Sequence, residues 1–269
     1  RAAVYEFHAA TADWWHHDNI FIAGDAAHQT PPFLGQGMNT GMRDAINLAW
    51  KIPMVINGLA GDQLLDTYFT EREAHAHDLV DWAVSIGRLM DHLANVERTV
   101  RNGDPEPEAP AALQSASYGQ GREQPPIREG VLMLDQVSDT GSTCYLFAQP
   151  NVINADGTHL KLDRLLGRGF AVVTRSNKAL QLSESSSAIL NRLGAKLISL
   201  DGLSLDRGHF DRLFEQHETA IIRPDKIVFG HTTDDISLDQ LVSLLAEKLA
   251  LTNLWRLDNY EPISQWRDA

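Results

Sequence analysis

Cysteine is almost absent from this chain of 269 residues, with Cys144 the only one. A single thiol excludes an internal disulfide, a CxxC redox pair and a zinc site built on paired cysteines, and it fits a reducing cytoplasm. Positive charge is scarce as well. Lys and Arg number 23 against 36 Asp and Glu, a net charge of −13. That balance argues against a non-specific hold on nucleic acid or an anionic membrane, both of which need excess Lys and Arg. A single local arginine could still recognise a small anion. No apolar run approaches the roughly 20 residues that span a bilayer, and no signal peptide is visible. Residue 1 is Arg rather than Met, and the strand-like residues 4–7 follow at once. The expectation is a portion of a longer protein. What is present is ordinary for a chain with a core: 43% apolar and 22% charged residues.

Periodicity predicts two regions. In the first, residues 4–7 alternate as a strand, and residues 9–19 read as a loop or a short turn of helix. The run Ile20-Phe21-Ile22-Ala23 reads as a buried strand ending at Gly24-Asp25. A helix is expected over residues 42–56, its core face formed by Ala45, Ile46, Ala49, Trp50 and Met54, with Pro53 kinking or ending it. A second, longer helix is expected from Asp62 to about Val100, with Glu71, Arg72 and Glu73 on its solvent side. Residues 101–130, rich in proline and acid, cannot continue that helix and read as a linker.

The second region reads as strand 170–174, helix 183–193 closed by Gly194, strand 196–200 and short helix 209–216. Strands 219–223 and 226–230 follow as a hairpin through Pro224-Asp225, and then helix 237–251 capped by Ser237. This βαβαββα order is thioredoxin-like, and its first half is expected to form a parallel crossover. The fold class is α/β. Residues 1–100 form one domain, 101–130 a linker and 131–269 the thioredoxin-like domain.

The stretch that carries chemistry runs from Gly24-Asp25-Ala26-Ala27-His28 through Pro31-Pro32 and Gly35-Gln36-Gly37-Met38-Asn39 to Arg43-Asp44 and Asn47-Leu48-Ala49-Trp50-Lys51. A carboxylate after a strand sits where open α/β sheets bind ligands, and Asp25 can accept two hydroxyl hydrogen bonds. The glycines let a bulky ligand approach the backbone. The helix they lead into presents unpaired N–H groups and a partial positive charge, which favours an anion or an electron-rich carbonyl.

This run resembles the second flavin-binding motif of the class A FAD-dependent aromatic hydroxylases, most closely the 3-(3-hydroxyphenyl)propionate, phenol and polyketide hydroxylase branch. The likeness covers about residues 1–100, and the thioredoxin-like tail is typical of the same branch. The chain is then the carboxy-terminal portion of such an enzyme, with an incomplete FAD-binding domain. The resemblance implies that Asp25 holds the ribityl hydroxyls of FAD. Gly35, Gln36, Gly37, Met38 and Asn39 would lie against the pyrimidine edge of the isoalloxazine, their amides stabilising negative charge at N1 and O2. Pro32 would border the place where oxygen and substrate meet. It implies hydroxylation of a phenolic substrate with O2 and NAD(P)H by way of a flavin hydroperoxide, in a cytoplasmic homodimer. The family's GxGxxG fingerprint does not occur in this sequence, so the chain alone is expected to be inactive. The alternatives are a non-catalytic dimerising fragment and another flavin-fold enzyme such as a halogenase.

Weaker signals resolve as structural. His75 and His77 are two apart on a helix and diverge, so no metal site is expected there or at His16-His17-Asp18. Arg43-Asp44 reads as a fold-locking ion pair, and Trp50 as core. His28 reads equally as loop packing or as a hydrogen-bond partner near the flavin. No cysteine stands between residues 174 and 183, where a thioredoxin-like domain would carry its thiols. That domain is expected to support assembly.

Overall fold

The computed structural model describes residues 4, 6–103, 125–137, 142–176, 180 and 182–251. They fall into two compact units, Arg1–Ile46 with Phe69–Pro125, and Asn47–Tyr68 with Pro126–Ala269. Two long helices, α1 (Gly37–Ile56) and α2 (Gln63–Arg101), each contribute residues to both units. Most of the expected linker, residues 104–124, lies outside the described residues.

The first unit is built on short ladders. Strand β1 (Ala10–Thr11) pairs antiparallel with β4 (His28–Gln29), and β2 (His16–His17) pairs with β3 (Ile20–Phe21). Two strand expectations are corrected here. Val4, Glu6 and Phe7 are outside any strand, and Tyr5 is not among the described residues. The pairing falls instead at Ala10–Thr11, where backbone partners exist on β4. The strand expected over residues 20–23 covers only Ile20–Phe21, and Ile20 is 71% exposed. An apolar run is buried only where neighbours cover both faces, and the described residues give β3 one partner strand. The fully buried Trp15 organises this region. Its indole Nε1 donates to the Ala12 carbonyl at 3.1 Å, and its ring packs against His28 at 5.3 Å.

Helix α1 starts earlier than expected, at Gly37, and runs through Pro53 to Ile56. Proline removes one intrahelical bond, but burial of Trp50 and Met54 on either side holds the helix together. Its expected core face holds at two of the five positions. Trp50 and Met54 are buried, whereas Ala45, Ile46 and Ala49 are exposed. The buried stripe is largely polar instead: Thr40, Asp44, Asn47 and Lys51. Met38, Met42 and Ile46, spaced four apart, face outward. Helix α2 spans the stretch expected of it, and in the first unit it buries Ala76, Leu79, Val80 and Ala83. Beyond that point Met90 and Leu93 are exposed. Glu71 and Arg72, expected on the wet side, are 1% and 2% exposed.

The second unit holds a four-stranded mixed sheet in the order β11 (Val228–His231), β10 (Thr219–Ile222), β7 (Ala171–Thr174), β8 (Lys196–Ser199). Strands β7 and β8 are parallel, and β7–β10 and β10–β11 are antiparallel. Alternation along each strand divides the core in two. Val172, Ile221 and Phe229 point into one cluster with Trp50, Met54, Leu64, Leu241 and Leu245. Val173, Ala220 and Val228 point into the other with Phe147, Leu162, Leu166 and Phe214. Both faces are covered, so β7 and β10 read as unbroken apolar runs rather than alternating ones. Helices α4 (Glu184–Arg192) and α5 (Leu238–Lys248) form at the expected places, capped by Ser183 and Ser237. Residues 209–216 hold a 3-10 turn, Arg212–Glu215, rather than a longer helix.

The periodicity gave no sign of a second small sheet of β6 (His159–Lys161), β5 (Asn151–Ile153) and β9 (Ser204–Arg207), nor of the short helix α3 (Leu162–Leu166). Its strands are short and mostly exposed, so they lack the apolar signal of the central ones. Residues 47–68 join this unit through the apolar cluster of Trp50, Met54 and Leu64 and also through one acid. Asp225 accepts from Trp50 Nε1 at 3.2 Å, Asn47 Nδ2 at 3.3 Å and the guanidinium of the fully buried Arg223 at 2.6 and 3.0 Å.

Ser237 accepts from the Gln240 amide at 3.3 Å and the Gln240 side chain accepts from the Ser237 amide at 2.8 Å, a reciprocal capping box. Ser237→Ala is expected to destabilise this unit by about 1 kcal/mol, read as a lower urea midpoint at unchanged slope.

Candidate functional site

The motif residues gather around the entrance of α1. After β3 the chain makes a 3-10 turn, Gly24–Ala26, that leaves Asp25 exposed. Gly24 takes a left-handed φ of 58°. A Cβ placed on Gly41, one turn into α1, would lie 3.1 Å from the Gly24 Cα, so turn and helix meet backbone to backbone. Pro31 is buried and the Pro32–Leu34 segment forms a second 3-10 turn. Phe33 of that turn rests on α2, where a Cβ on Gly87 would come within 2.5 Å of its ring. Gly35 then turns left-handed, at φ 61°, and α1 begins at Gly37.

At that entrance the first helical hydrogen bond runs from Thr40 N–H to the Gln36 carbonyl at 2.8 Å. The amides of Gly37, Met38 and Asn39 precede it and have no intrahelical acceptor. The first turn carries no acidic residue to offset their positive potential. Space is open where side chains of Gly35 and Gly37 would stand. Pro32, Gly35 and Met38 are exposed, and Gln36, Gly37 and Asn39 are partly so. The structure thus brings Gly24-Asp25 against the first two turns of the helix whose entrance holds Gly35 to Asn39.

Behind the exposed rim sits a buried polar cluster. Asp44 has no exposed side-chain surface and accepts from three sides: the Gly24 amide at 3.0 Å, His28 Nε2 at 2.7 Å and Arg72 Nε at 2.9 Å. The expected Arg43-Asp44 lock is therefore corrected, because the partners of Asp44 are Arg72 and His28. Neighbours along a helix point roughly 100° apart, whereas Arg72 reaches Asp44 from the facing helix. Sequence reasoning missed Arg72. A charged triplet reads as solvent face, and only the polar stripe Thr40–Asp44 inside α1 hinted that ionic partners were needed. Burial by itself would raise the Asp44 carboxyl. The hydrogen bond from His28, the Arg72 charge and the Gly24 amide outweigh that effect and hold it below the ordinary carboxylate range. Because an ionised carboxylate only accepts, His28 donates from Nε2.

Several buried polar atoms around the loop have no hydrogen-bond partner among the described residues: His28 Nδ1, Thr30 Oγ1, Gln36 Oε1 and Arg43 Nη1. Burial and the neighbouring Arg72 lower the Arg43 guanidinium, while Asp44 raises it. Unpaired buried polar atoms are rare and call for an explanation. These atoms belong to the motif stretch that runs into an open, glycine-lined helix entrance, whose unpaired amides suit a polar, partly anionic ligand. Elsewhere, His75 is buried and His77 exposed, and no group of three metal-binding side chains occurs among the described residues.

Residues 1–83 match the family described as FAD binding domain, and residues 145–248 match the HcaD C-terminal domain. Along most of its length the chain is similar to FAD-dependent aromatic hydroxylases. It is 31% identical to a 3-(3-hydroxy-phenyl)propionate/3-hydroxycinnamic acid hydroxylase of Klebsiella pneumoniae (strain 342), over 93% of this chain and 49% of that protein. It is 34% identical to a probable NADH-specific resorcinol 4-hydroxylase of Rhodococcus jostii (strain RHA1), over 93% and 47%. The fold is shared with the flavin-dependent monooxygenase PieE, solved with FAD and substrate. The TM-score is 0.70 at 22% identity, over 91% of this chain and 50% of that one. The chain spans about half the length of the curated relatives it matches.

Removing one member of a buried ion pair leaves an uncompensated charge. Arg72→Met is expected to cost about 3–5 kcal/mol at pH 7 in urea unfolding. Asp44, with its lowered folded pKa, contributes stability above the ordinary carboxylate range and loses it as the pH falls through and below that range. The gap between wild type and Arg72→Met should therefore narrow in acid.

Proposed function

We propose that this chain is the carboxy-terminal portion of a flavoprotein monooxygenase that hydroxylates a phenolic substrate with O2 and NAD(P)H. In this reading FAD lies across the open helix entrance, where it supplies hydride acceptance from NAD(P)H and oxygen activation. The carboxylate of Asp25 accepts hydrogen bonds from the ribityl hydroxyls. The amides of Gly37, Met38 and Asn39, with Gly35 and Gln36 leading into them, would point positive potential at the pyrimidine edge and stabilise negative charge there. Pro32 and the turn it opens form the border facing substrate and oxygen, and Phe33 anchors that turn on α2.

The observation that carries this reading is the meeting of the Gly24-Asp25 turn with the helix that Gly35 to Asn39 lead into, in a stretch whose buried polar atoms include several without a hydrogen-bond partner among the described residues. The names of the relatives support the substrate class: one acts on hydroxyphenylpropionate and hydroxycinnamic acid, another on resorcinol.

The second unit is read as a thioredoxin-like domain without redox chemistry, serving assembly as a homodimer. Its support is the β8-β7-β10-β11 order with β7 and β8 parallel. A further support is that the lone Cys144 is buried and stands before β7 rather than after it. A cytoplasmic site fits the single cysteine.

The test is FAD titration by flavin fluorescence quenching, with the 269-residue chain beside one extended at its amino terminus to the length of the curated relatives. Tight binding and phenol-stimulated NAD(P)H oxidation are expected in the extended chain only. In it, Asp25→Asn should weaken FAD by about tenfold or more, the loss of a charged hydrogen-bond acceptor. Tight FAD binding by the short chain, or an Asp25→Asn variant that binds as wild type, would end the reading.

A further inference from the structure

The exposed Gly24–Ala26 turn has little of its own to fix its shape. It spans three residues, none of them buried, and the side chain of its leading residue Ala23 makes no cap. One internal bond closes it, from the Ala27 amide to the Gly24 carbonyl at 2.9 Å. Its position is set from behind. The Gly24 amide donates to Asp44 Oδ2, and the Gly24 Cα rests against Gly41. Asp44 is itself held on both oxygens, Oδ1 by Arg72 and Oδ2 by His28 as well as by Gly24. His28 lies on β4, so the same carboxylate also ties the far end of the loop. Arg72 extends the frame, with Nη2 within 3.5 Å of the Thr40 carbonyl. The acid is fully buried, 19 residues from Asp25 in sequence, and faces away from solvent.

We infer that Asp44 is a positioning residue of the candidate flavin site. With Gly41 it forms the seat that fixes the Gly24–Ala26 turn and so aims the Asp25 carboxylate, although Asp44 itself is fully buried. This rests on the flavin reading above. A brace that only stabilised the fold would have no need of the Gly24 amide, since Arg72 and His28 already satisfy the buried charge. Nor would it require a backbone-to-backbone approach at Gly41. The amide and the approach together fix the turn in position as well as orientation, and a site that must hold a hydroxyl chain needs both.

Two variants separate the seat from the fold. Asp44→Asn keeps one acceptor oxygen but cannot serve Arg72, His28 and Gly24 together. Gly41→Ala leaves the ion pair intact and presses a methyl group onto Gly24, so it keeps the fold if Asp44→Asn does not. Both are made in the extended chain, alone and combined with Asp25→Asn. FAD affinity is measured by quenching, and exchange of the Gly24 amide by NMR in flavin-free protein.

The expected result is that each seat variant weakens FAD by about tenfold or more in folded protein, and that Asp44→Asn speeds exchange at Gly24. Adding either to Asp25→Asn should cost nothing further, because both act through one carboxylate. Seat variants that lower the melting temperature but bind FAD within about twofold of wild type, or whose effects multiply with that of Asp25→Asn, would overturn the positioning role. An Asp25→Asn variant with unchanged FAD affinity but an Asp44-protected Gly24 amide would instead sink the flavin reading, and leave the seat as a structural brace.

Discussion

A single buried carboxylate governs the first unit. Asp44 is removed from water on the inner face of α1, where an unpaired charge would be prohibitive, and it stays ionised because three donors converge on it. Each donor comes from a different stretch of chain: the turn after β3, strand β4 and helix α2. The short ladders of this unit, two residues per strand, could not by themselves hold those stretches in register. The ion pair and its hydrogen bonds do so, and the exposed rim of the site inherits its geometry from them. Isolated buried pairs contribute little net stability compared with an apolar substitute. What this one supplies is the specific placement of a loop.

The second unit shows the same device in another place. Arg223 and Asp225, at the turn of the β10–β11 hairpin, are satisfied by each other and by Trp50, Asn47 and the Val131 carbonyl. Here the network ties residues 47–68 to a sheet whose two faces are already well covered. The apolar clusters carry the burial energy, and the polar knot decides which segment sits beside the hairpin. Helix α1 thus has a polar inner stripe along its length, from Thr40 to Lys51, while Met38, Met42 and Ile46 face outward. In its first turns that is the reverse of an ordinary surface helix, whereas Trp50 and Met54 farther along are buried in the apolar cluster.

Legibility followed the physical signal. The central strands and helices of the second unit were readable because long apolar runs, Ser caps and helical spacing are local features. Ser237 caps its helix as expected, and Ser183, read as the first residue of a helix, is the cap of that helix. The small sheet of β5, β6 and β9 was not readable, being mostly exposed and short. In the first unit the two long helices and the motif were legible, but the start of α1, the strand over residues 20–23 and the core face of α1 were not. Burial there depends on which partners arrive, and sequence periodicity assumes that apolar residues face them.

By itself the sequence determined the motif: a Gly-Asp pair, two prolines and a glycine-rich entry to a helix, in an order that fixes which backbone amides are free. Chain geometry alone produces those features, because glycine permits the turns and a helix start always leaves amides unpaired. Only the tertiary structure decided that Arg72 of α2, and not the adjacent Arg43, completes the charge of Asp44, and that Gly24 comes to rest on Gly41. Ion pairing and close approach depend on distances between segments 17 to 28 residues apart, and no local pattern along the chain encodes them.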